Sequence, residues 1–317
     1  MKSTILLNSD THIDTPQVAG IGFFDGVHKG HQFLIRSIVE EARHRSMESM
    51  VISFDRHPRQ VLNDGYVPQL LCTNDDKQLL ISHTDVDNMV ILPFDKEMSM
   101  LSAEDFMRDV LAAQLGVKVL VLGYDNHFGH RGEKTEGFAD YVRYGSELGI
   151  EVIQWTPLTV GGQNVSSSLV RKYVSEGEVE MAERCLGRPY KIQGTVVGGF
   201  QEGRKLGFPT ANIDPSSVET MIPAPGVYAV KVRVEGTVAD RRAMMNIGTR
   251  PTFDGHGLSL EVHIFDFSDD LYGKTISVAF CHRLREERKF DSPEELAEQL
   301  SGDMELLRKQ FDKDIEE

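Results

Sequence analysis

Between residue 18 and about residue 160 the chain alternates short apolar runs with longer segments whose apolar residues recur every three or four positions. Val18–Phe24, Met50–Phe54, Asn88–Leu92, Val117–Leu122 and Glu151–Trp155 are bounded runs of strand length, and the segments between them, such as Phe33–Arg45 and Ala103–Leu115, carry the helical period. Strands separated by helices predict a parallel sheet with crossover connections, a doubly wound α/β domain. Two more helical stretches follow, Leu169–Glu176 and Val179–Cys185, and the texture then changes at Leu186-Gly187-Arg188-Pro189-Tyr190. Beyond it Tyr190–Val197, Gly226–Val234, Arg242–Ile247, Leu258–Phe267 and Thr275–Phe280 are short strands set off by Gly, Pro and Asp turns, the pattern of a small antiparallel β-barrel. A terminal helix is predicted over Ser292–Phe311, with Ser292 as N-cap, Pro293 at the first helical position and acids in the first turn. Two domains are predicted, residues 1–185 and 186–317.

The length of 317 residues agrees with two domains, each able to bury a core. Lys and Arg total 34 against 49 Asp and Glu, a formal net charge of −15. Such an excess repels a phosphate backbone and argues against a nucleic-acid partner, but it leaves room for a nucleotide, which needs only a few backbone N–H groups and local cations. Cys72, Cys185 and Cys281 lie far apart without a C-x-x-C pair, so neither a zinc site nor a disulfide framework is expected and a cytoplasmic location fits. The opening MKSTILLNSDTHIDTPQ has too short an apolar run for a secretion signal, and no later stretch has the length of a membrane span.

The segment Gly22-Phe23-Phe24-Asp25-Gly26-Val27-His28-Lys29-Gly30-His31 follows a predicted strand and opens a predicted helix. Open α/β sheets bind ligands at that end of a strand. Gly22, Phe24, Gly26 and Gly30 are assigned to nucleotide phosphates, and His28 and His31 to donation onto phosphate oxygens as charge develops there in nucleotidyl transfer. A plain glycine turn with two solvent-facing histidines, or a metal pair at i, i+3, would give the same letters. A second segment, Val165-Ser166-Ser167-Ser168-Leu169-Val170-Arg171, runs into a helix. Ser167 and Ser168 at the N-terminus and Arg171 one turn in suit a triphosphate; a capped surface helix is the alternative.

In the second half, Gly203–Asn212 packs Gly203, Lys205, Gly207, Pro209, Thr210 and Asn212 into one connection between strands. The Thr hydroxyl and Asn carbonyl are hard neutral donors of the kind Mg²⁺ accepts, so the loop is a candidate for Mg-ATP, with a tight turn as the alternative. Along Leu258–Phe267, Leu258, Leu260, Val262 and Ile264 share one face and Glu261, His263, Phe265 and Phe267 the other. Glu261 is placed to take a proton from an alcohol attacking a γ-phosphate, or is simply an outward carboxylate. His263 is assigned a structural role.

The H-x-G-H motif with a later S-S-S-x-x-R helix resembles the nucleotidylyltransferase superfamily, and within it the adenylyltransferase half of prokaryotic riboflavin kinase/FAD synthetases. Phe54-Asp55-Arg56-His57-Pro58 resembles that family's F-x-x-H-P segment, and Gly123–Gly129 its G-x-[DN]-F-x-F-G loop, with Asn126 where an aromatic residue is usual. Residues 186–311 resemble a riboflavin kinase. The motifs run from Gly199 to Ile213, then through Pro225–Ala229, Asn246–Phe253, Glu261–Phe267, Leu271–Gly273, Leu284-Arg285 and Lys289-Phe290. The resemblance implies a six-stranded barrel, Mg-ATP near Thr210 and Asn212, Glu261 as base, flavin contacts at Asp125 and Arg285, and Mg²⁺ as the metal. It implies phosphorylation of riboflavin by ATP to FMN and ADP, then adenylylation of FMN by a second ATP to FAD and pyrophosphate, with His28, His31 and Arg171 serving the second step. The rivals are a chain with one inactive half, the altered Gly123–Gly129 loop pointing at the adenylyltransferase, and a flavin-binding protein without turnover.

Overall fold

The computed structural model describes every residue except 64, 124–127, 130–135, 200–202, 204–205, 253–254 and 317, with side chains left aside also at 250–252, 255–256, 310 and 312–316. By contacts the chain divides into two compact units, Met1–Gln69 with Thr73–Ser166, and Leu70–Cys72 with Ser167–Glu317. The helices Ser167–Glu176 and Val179–Leu186 therefore count with the second unit.

The first unit is built on six parallel strands: β1 (Ser3–Leu6), β2 (Gln17–Ile21), β3 (Glu48–Phe54), β4 (Asn88–Leu92), β5 (Val117–Gly123) and β6 (Glu151–Trp155). They lie in the order β1-β4-β3-β2-β5-β6. Side chains leave the two sheet faces alternately. Val18, Val51, Met89, Val119 and Val121 pack with Leu34, Ile35, Ile38 and Val39 of the helix Lys29–Arg45. Ala19, Ile21, Met50, Ile52, Leu120 and Leu122 pack with Phe106, Val110 and Leu111 and with Tyr141 and Tyr144 on the opposite side. Burial on both faces is why these strands read as continuous apolar runs. A small hairpin, β7 (Thr159–Val160) and β8 (Gln163–Asn164), precedes the end of the unit.

The edge strand β1 is absent from the sequence reading. Its four residues alternate between exposed and half-buried, too short a stretch to show a period. What fixes it is polar: Lys2 reaches both Glu48 and Asp87 at 3.0 Å, and Asn88 donates to Glu48 and to the buried Gln17.

In the second unit, β9 (Tyr190–Val197), β10 (Ala211–Ile213), β11 (Gly226–Val234), β12 (Arg241–Thr252), β13 (Gly255–Ile264) and β14 (Thr275–Arg285) close a barrel in the order β10-β13-β12-β11-β14-β9, every pair antiparallel and β9 pairing β10. Tyr228, Val230 and Val232 alternate along β11 with Val227 and Ala229, and the latter pair packs with Leu307 and Phe311 of the terminal helix Pro293–Glu316. The first set therefore faces the barrel interior, together with Met245, Ile247, Leu260 and Val262 at matching register. β10 overlaps the end of the connection Gly203–Asn212. Along β13 it reaches only Leu260–Val262, and Leu258, beyond it on the same strand face, is 44% exposed.

The helix pair Ser167–Glu176 and Val179–Leu186 is tied to the barrel at Arg283. Its backbone N–H donates to Glu180, its guanidinium to the carbonyls of Glu176 and Pro225. Gly177, at φ +75°, makes the turn between the helices; a Cβ there would stand 2.7 Å from Tyr228 Oη and 2.9 Å from Arg283 Nε.

Candidate active sites

The chain leaves β2 toward β3 and β4 on one side and returns for β5 and β6 on the other, so the crevice outside the ends of β2 and β5 is the topological switch point. The segment Gly22–His31 stands at the end of β2. The strand stops at Ile21, three residues before its predicted end, because the backbone turns sharply: Phe24 and Val27 adopt left-handed conformations at φ 54° and 40°, and Gly26 sits at φ 75°. A β-branched residue there is strained, a cost of the kind concentrated at functional sites. The turn swings His28 onto the start of the helix, where its Nδ1 accepts the backbone N–H of His31 at 3.2 Å. A neutral His28 with Nδ1 accepting carries its proton on Nε2. The His31 ring stacks on it at 3.6 Å and 16°. Burial and, second, the neighbouring His28 hold the His31 pKa well below the usual value, and its Nδ1 is buried with no hydrogen-bond partner among the described residues.

The glycines of this segment serve internal packing as well. A Cβ at Gly30 would meet the Val165 carbonyl at 3.0 Å and the His28 ring at 3.1 Å, and one at Gly22 would meet the Phe24 ring at 3.3 Å. Phe24 itself is buried and edge-on to His31 at 5.1 Å. Val165, beside Gly30, is followed two positions later in the chain by Ser167. Ser167 and Arg171 are half-buried and Ser168 is exposed on the helix that follows. The Phe54–Pro58 segment joins the motif through Phe23, whose ring meets His57 at 4.9 Å. The ammonium of the buried Lys77 lies over the same ring at 4.4 Å and donates to the Phe54 carbonyl at 3.0 Å. Sequence reasoning passed over Lys77; the signal was a lysine at a core position of an amphipathic helix. Asp125 and Asn126 lie outside the described residues.

Between the outer face of the barrel and the terminal helix lies a cavity of about 270 Å³. Gly203 and Thr210 of one loop, Glu261 and Arg285, from three separate stretches of the sequence, all line it, joined by Phe208, Asn246, Ser259, His263, Glu287, Arg288 and Phe290 and closed by Leu296 and Leu300 of the terminal helix. Ser259 donates to Glu261 Oε1 at 2.8 Å, and Asn212 is the register partner of Glu261 on β10. The Asn212 amide fills the space where a Cβ at Gly199 would stand. Gly203 closes its loop through its carbonyl, which accepts from Phe208 N–H, and Gly207, at φ 85°, is exposed. Arg285 points its fork at the buried Asp303, with Nε and Nη2 at 3.0 and 2.8 Å from Oδ2, and Gln299 donates to the other oxygen. Lys205 lies outside the described residues. A second cavity, about 510 Å³, meets the first at Thr210 and is lined by Pro209, Phe267, Asp269 and Tyr272 among others.

Against known proteins, the FAD synthetase family model matches residues 10–169 and the riboflavin kinase model residues 186–311. The chain is 36% identical to the bifunctional riboflavin kinase/FMN adenylyltransferase of Escherichia coli K12 over 93% of its own length and 92% of the relative's. The chain belongs to the bifunctional riboflavin kinase/FMN adenylyltransferase family. The Listeria monocytogenes member is 37% identical over 97% and 96% of the two chains. A solved structure described as a macrolide-efflux protein from Streptococcus pneumoniae superimposes with a TM-score of 0.83 at 32% identity, over 96% of this chain and 98% of that one. Among the described residues no helix is long and apolar enough to cross a membrane. The family's two parts map onto the two constellations, the FAD synthetase model onto the α/β sheet with the histidine motif and the riboflavin kinase model onto the barrel with its cavity.

Proposed function

We propose that the chain carries out both reactions of its family at two separate sites, on residues 1–185 and 186–317, with the residues named above in specific roles. The observation that carries the barrel assignment is the convergence of Thr210, Glu261 and Arg285 on one cavity. There Glu261, oriented by Ser259, takes the proton of the ribityl 5′-hydroxyl as that oxygen bonds to the γ-phosphorus of ATP. The bond from the γ-phosphorus to the bridging oxygen breaks, and ADP leaves with FMN formed. The apolar wall of Phe290, Leu296 and Leu300 suits the flat flavin ring, and the second cavity beyond Thr210 suits the nucleotide. Thr210 and Asn212 offer neutral oxygens beside a carboxylate, a donor set that fits Mg²⁺, and they would hold it; the ion would screen the charge of the phosphates. Gly203 and Gly207 bound the nucleotide side of the loop, and Lys205 is assigned to the phosphates. Arg285 acts on the flavin side while held by Asp303.

At the switch point of the α/β sheet, an oxygen of the FMN phosphate bonds to the α-phosphorus of a second ATP, and the bond to the bridging oxygen breaks to release pyrophosphate. His28 donates from Nε2, and His31, Arg171 and the N–H groups of Ser167 and Ser168 stabilise the charge that develops. Gly22, Phe24, Gly26 and Gly30 shape the turn that brings backbone to the phosphates, and Asp125 is assigned to the flavin. The three cysteines are buried thiols, which supports a cytoplasmic location. Incubating the protein with riboflavin, ATP and Mg²⁺ and separating the flavins tests the reading. FMN and FAD should both accumulate; FMN alone would leave one half inactive, and riboflavin bound but unchanged would make the chain a flavin carrier.

A further inference from the structure

We propose that His263 is a positioning residue of the kinase site, using its Nδ1–H to hold the Pro209 carbonyl and so fix Thr210 and Asn212 beside Glu261. The inference rests on reading the barrel as the riboflavin kinase. His263 Nδ1 lies 2.8 Å from Pro209 O, and because a carbonyl only accepts, the proton belongs to Nδ1. The Phe208 and Phe265 rings stand against the imidazole, Phe208 edge-on at 5.5 Å and Phe265 tilted at 5.7 Å, and set its angle.

The consequence follows from where Pro209 stands. The loop before it is closed by Phe208 N–H on Gly203 O, and the strand after it begins at Ala211, paired with Val262, with Asn212 paired to Glu261. Pro209 has no N–H of its own with which to pair. Between the Gly203 closure and β10, the His263 bond holds the backbone on the near side of Thr210, as β13 holds it on the far side. Glu261 and His263 are two residues apart on one face of β13 and line the same cavity. One strand thus carries the base and aligns the loop across from it.

The side chain's two nitrogens make the idea separable from packing. The amide nitrogen of Asn occupies nearly the place of imidazole Nδ1, whereas that of Gln reaches the place of Nε2. A hydrogen bond is worth about 0.5–1.5 kcal/mol net, which sets the scale at up to roughly tenfold. In steady-state assays of FMN formation by the full chain, His263→Ala and His263→Gln should raise KM for ATP about five- to tenfold with KM for riboflavin nearly unchanged. His263→Asn should recover to within about twofold of wild type, and FAD formation from supplied FMN should be unaffected in all three. If the Ala variant does not fold, the Asn and Gln variants still decide. An Asn variant no better than Gln, or three variants all within twofold of wild type, overturns the proposal. A wild-type chain that forms no FMN would instead overturn the kinase reading.

Discussion

Asp303→Asn keeps the shape of a side chain that is only 5% exposed and removes the charge that Arg285 faces. Three hydrogen bonds end on that carboxylate, two from Arg285 and one from Gln299. Removing one partner of a buried ion pair costs about 3–5 kcal/mol, chiefly because the other charge is stranded. The Arg285 side chain keeps 20% exposure and a further bond to the Glu286 carbonyl, so the lower end applies, about 3 kcal/mol. For a unit of this size that corresponds to a fall of roughly 6–12 °C in the barrel's unfolding midpoint. Because Leu296 and Leu300 of the same helix close the cavity, KM for riboflavin should rise together with the loss of stability. Calorimetry of the full chain, alongside separate assays of FMN and FAD formation, reads both effects. A midpoint shifted by less than about 1 °C with an unchanged riboflavin KM would show that Asp303 neither secures the helix nor holds Arg285, and the role given to Arg285 would go with it.

Glu261→Gln should lower FMN formation by about 10²–10⁴ while FAD formation from FMN stays near wild type; kinase activity near normal would remove Glu261 from the chemistry. His28→Ala should do the reverse, and equal loss of both reactions would refute separate sites. At the β1 edge, Glu48 is held below the usual carboxylate range by Lys2, Asn88 and Gln17; burial pushes Asp87 up, but Ser49 and Lys2 outweigh it. Folded values below the unfolded ones mean stability present above the unfolded pKa and lost as pH falls through the depressed values. The melting temperature of Glu48→Gln should therefore lie below wild type at pH 7 and converge with it in acid, and a gap independent of pH would exclude the charge. A fragment beginning at Ser167 should be more stable than one beginning at Leu186, since only the first keeps Glu180 on Arg283 and the packing of Gly177 on Tyr228; equal urea midpoints would contradict this.

The order of strands and helices in the first unit was legible because long buried runs and helical periods are contiguous. The histidine motif was legible for the same reason, its chemistry being held in ten consecutive residues. β10 was not, since three residues carry no period, and the end of β2 was misplaced because the left-handed turn at Phe24 and Val27 is built from residues that ordinarily extend strands. The barrel cavity was half legible. Glu261 and Thr210 stood out by motif, whereas Asn246, Ser259 and Glu287 reach the cavity from other strand positions and a connecting loop, which spacing along one segment cannot reveal. Asp303 did leave a trace: Leu296, Leu300, Asp303 and Leu307 form one helical stripe, and a carboxylate within it calls for a buried cation.

The helix that bears Ser167, Ser168 and Arg171 belongs by its contacts to the barrel's unit, although the proposed adenylyl transfer uses it. Dependence between the two activities is then one-sided. On heating, melting of the barrel's unit should take the helix proposed to bind phosphate with it and silence both reactions, whereas melting of the α/β sheet leaves every group assigned to the kinase in place. The order in which the activities die reports which unit is the weaker, and no thermal history should yield a chain that makes FAD from FMN after its barrel has unfolded.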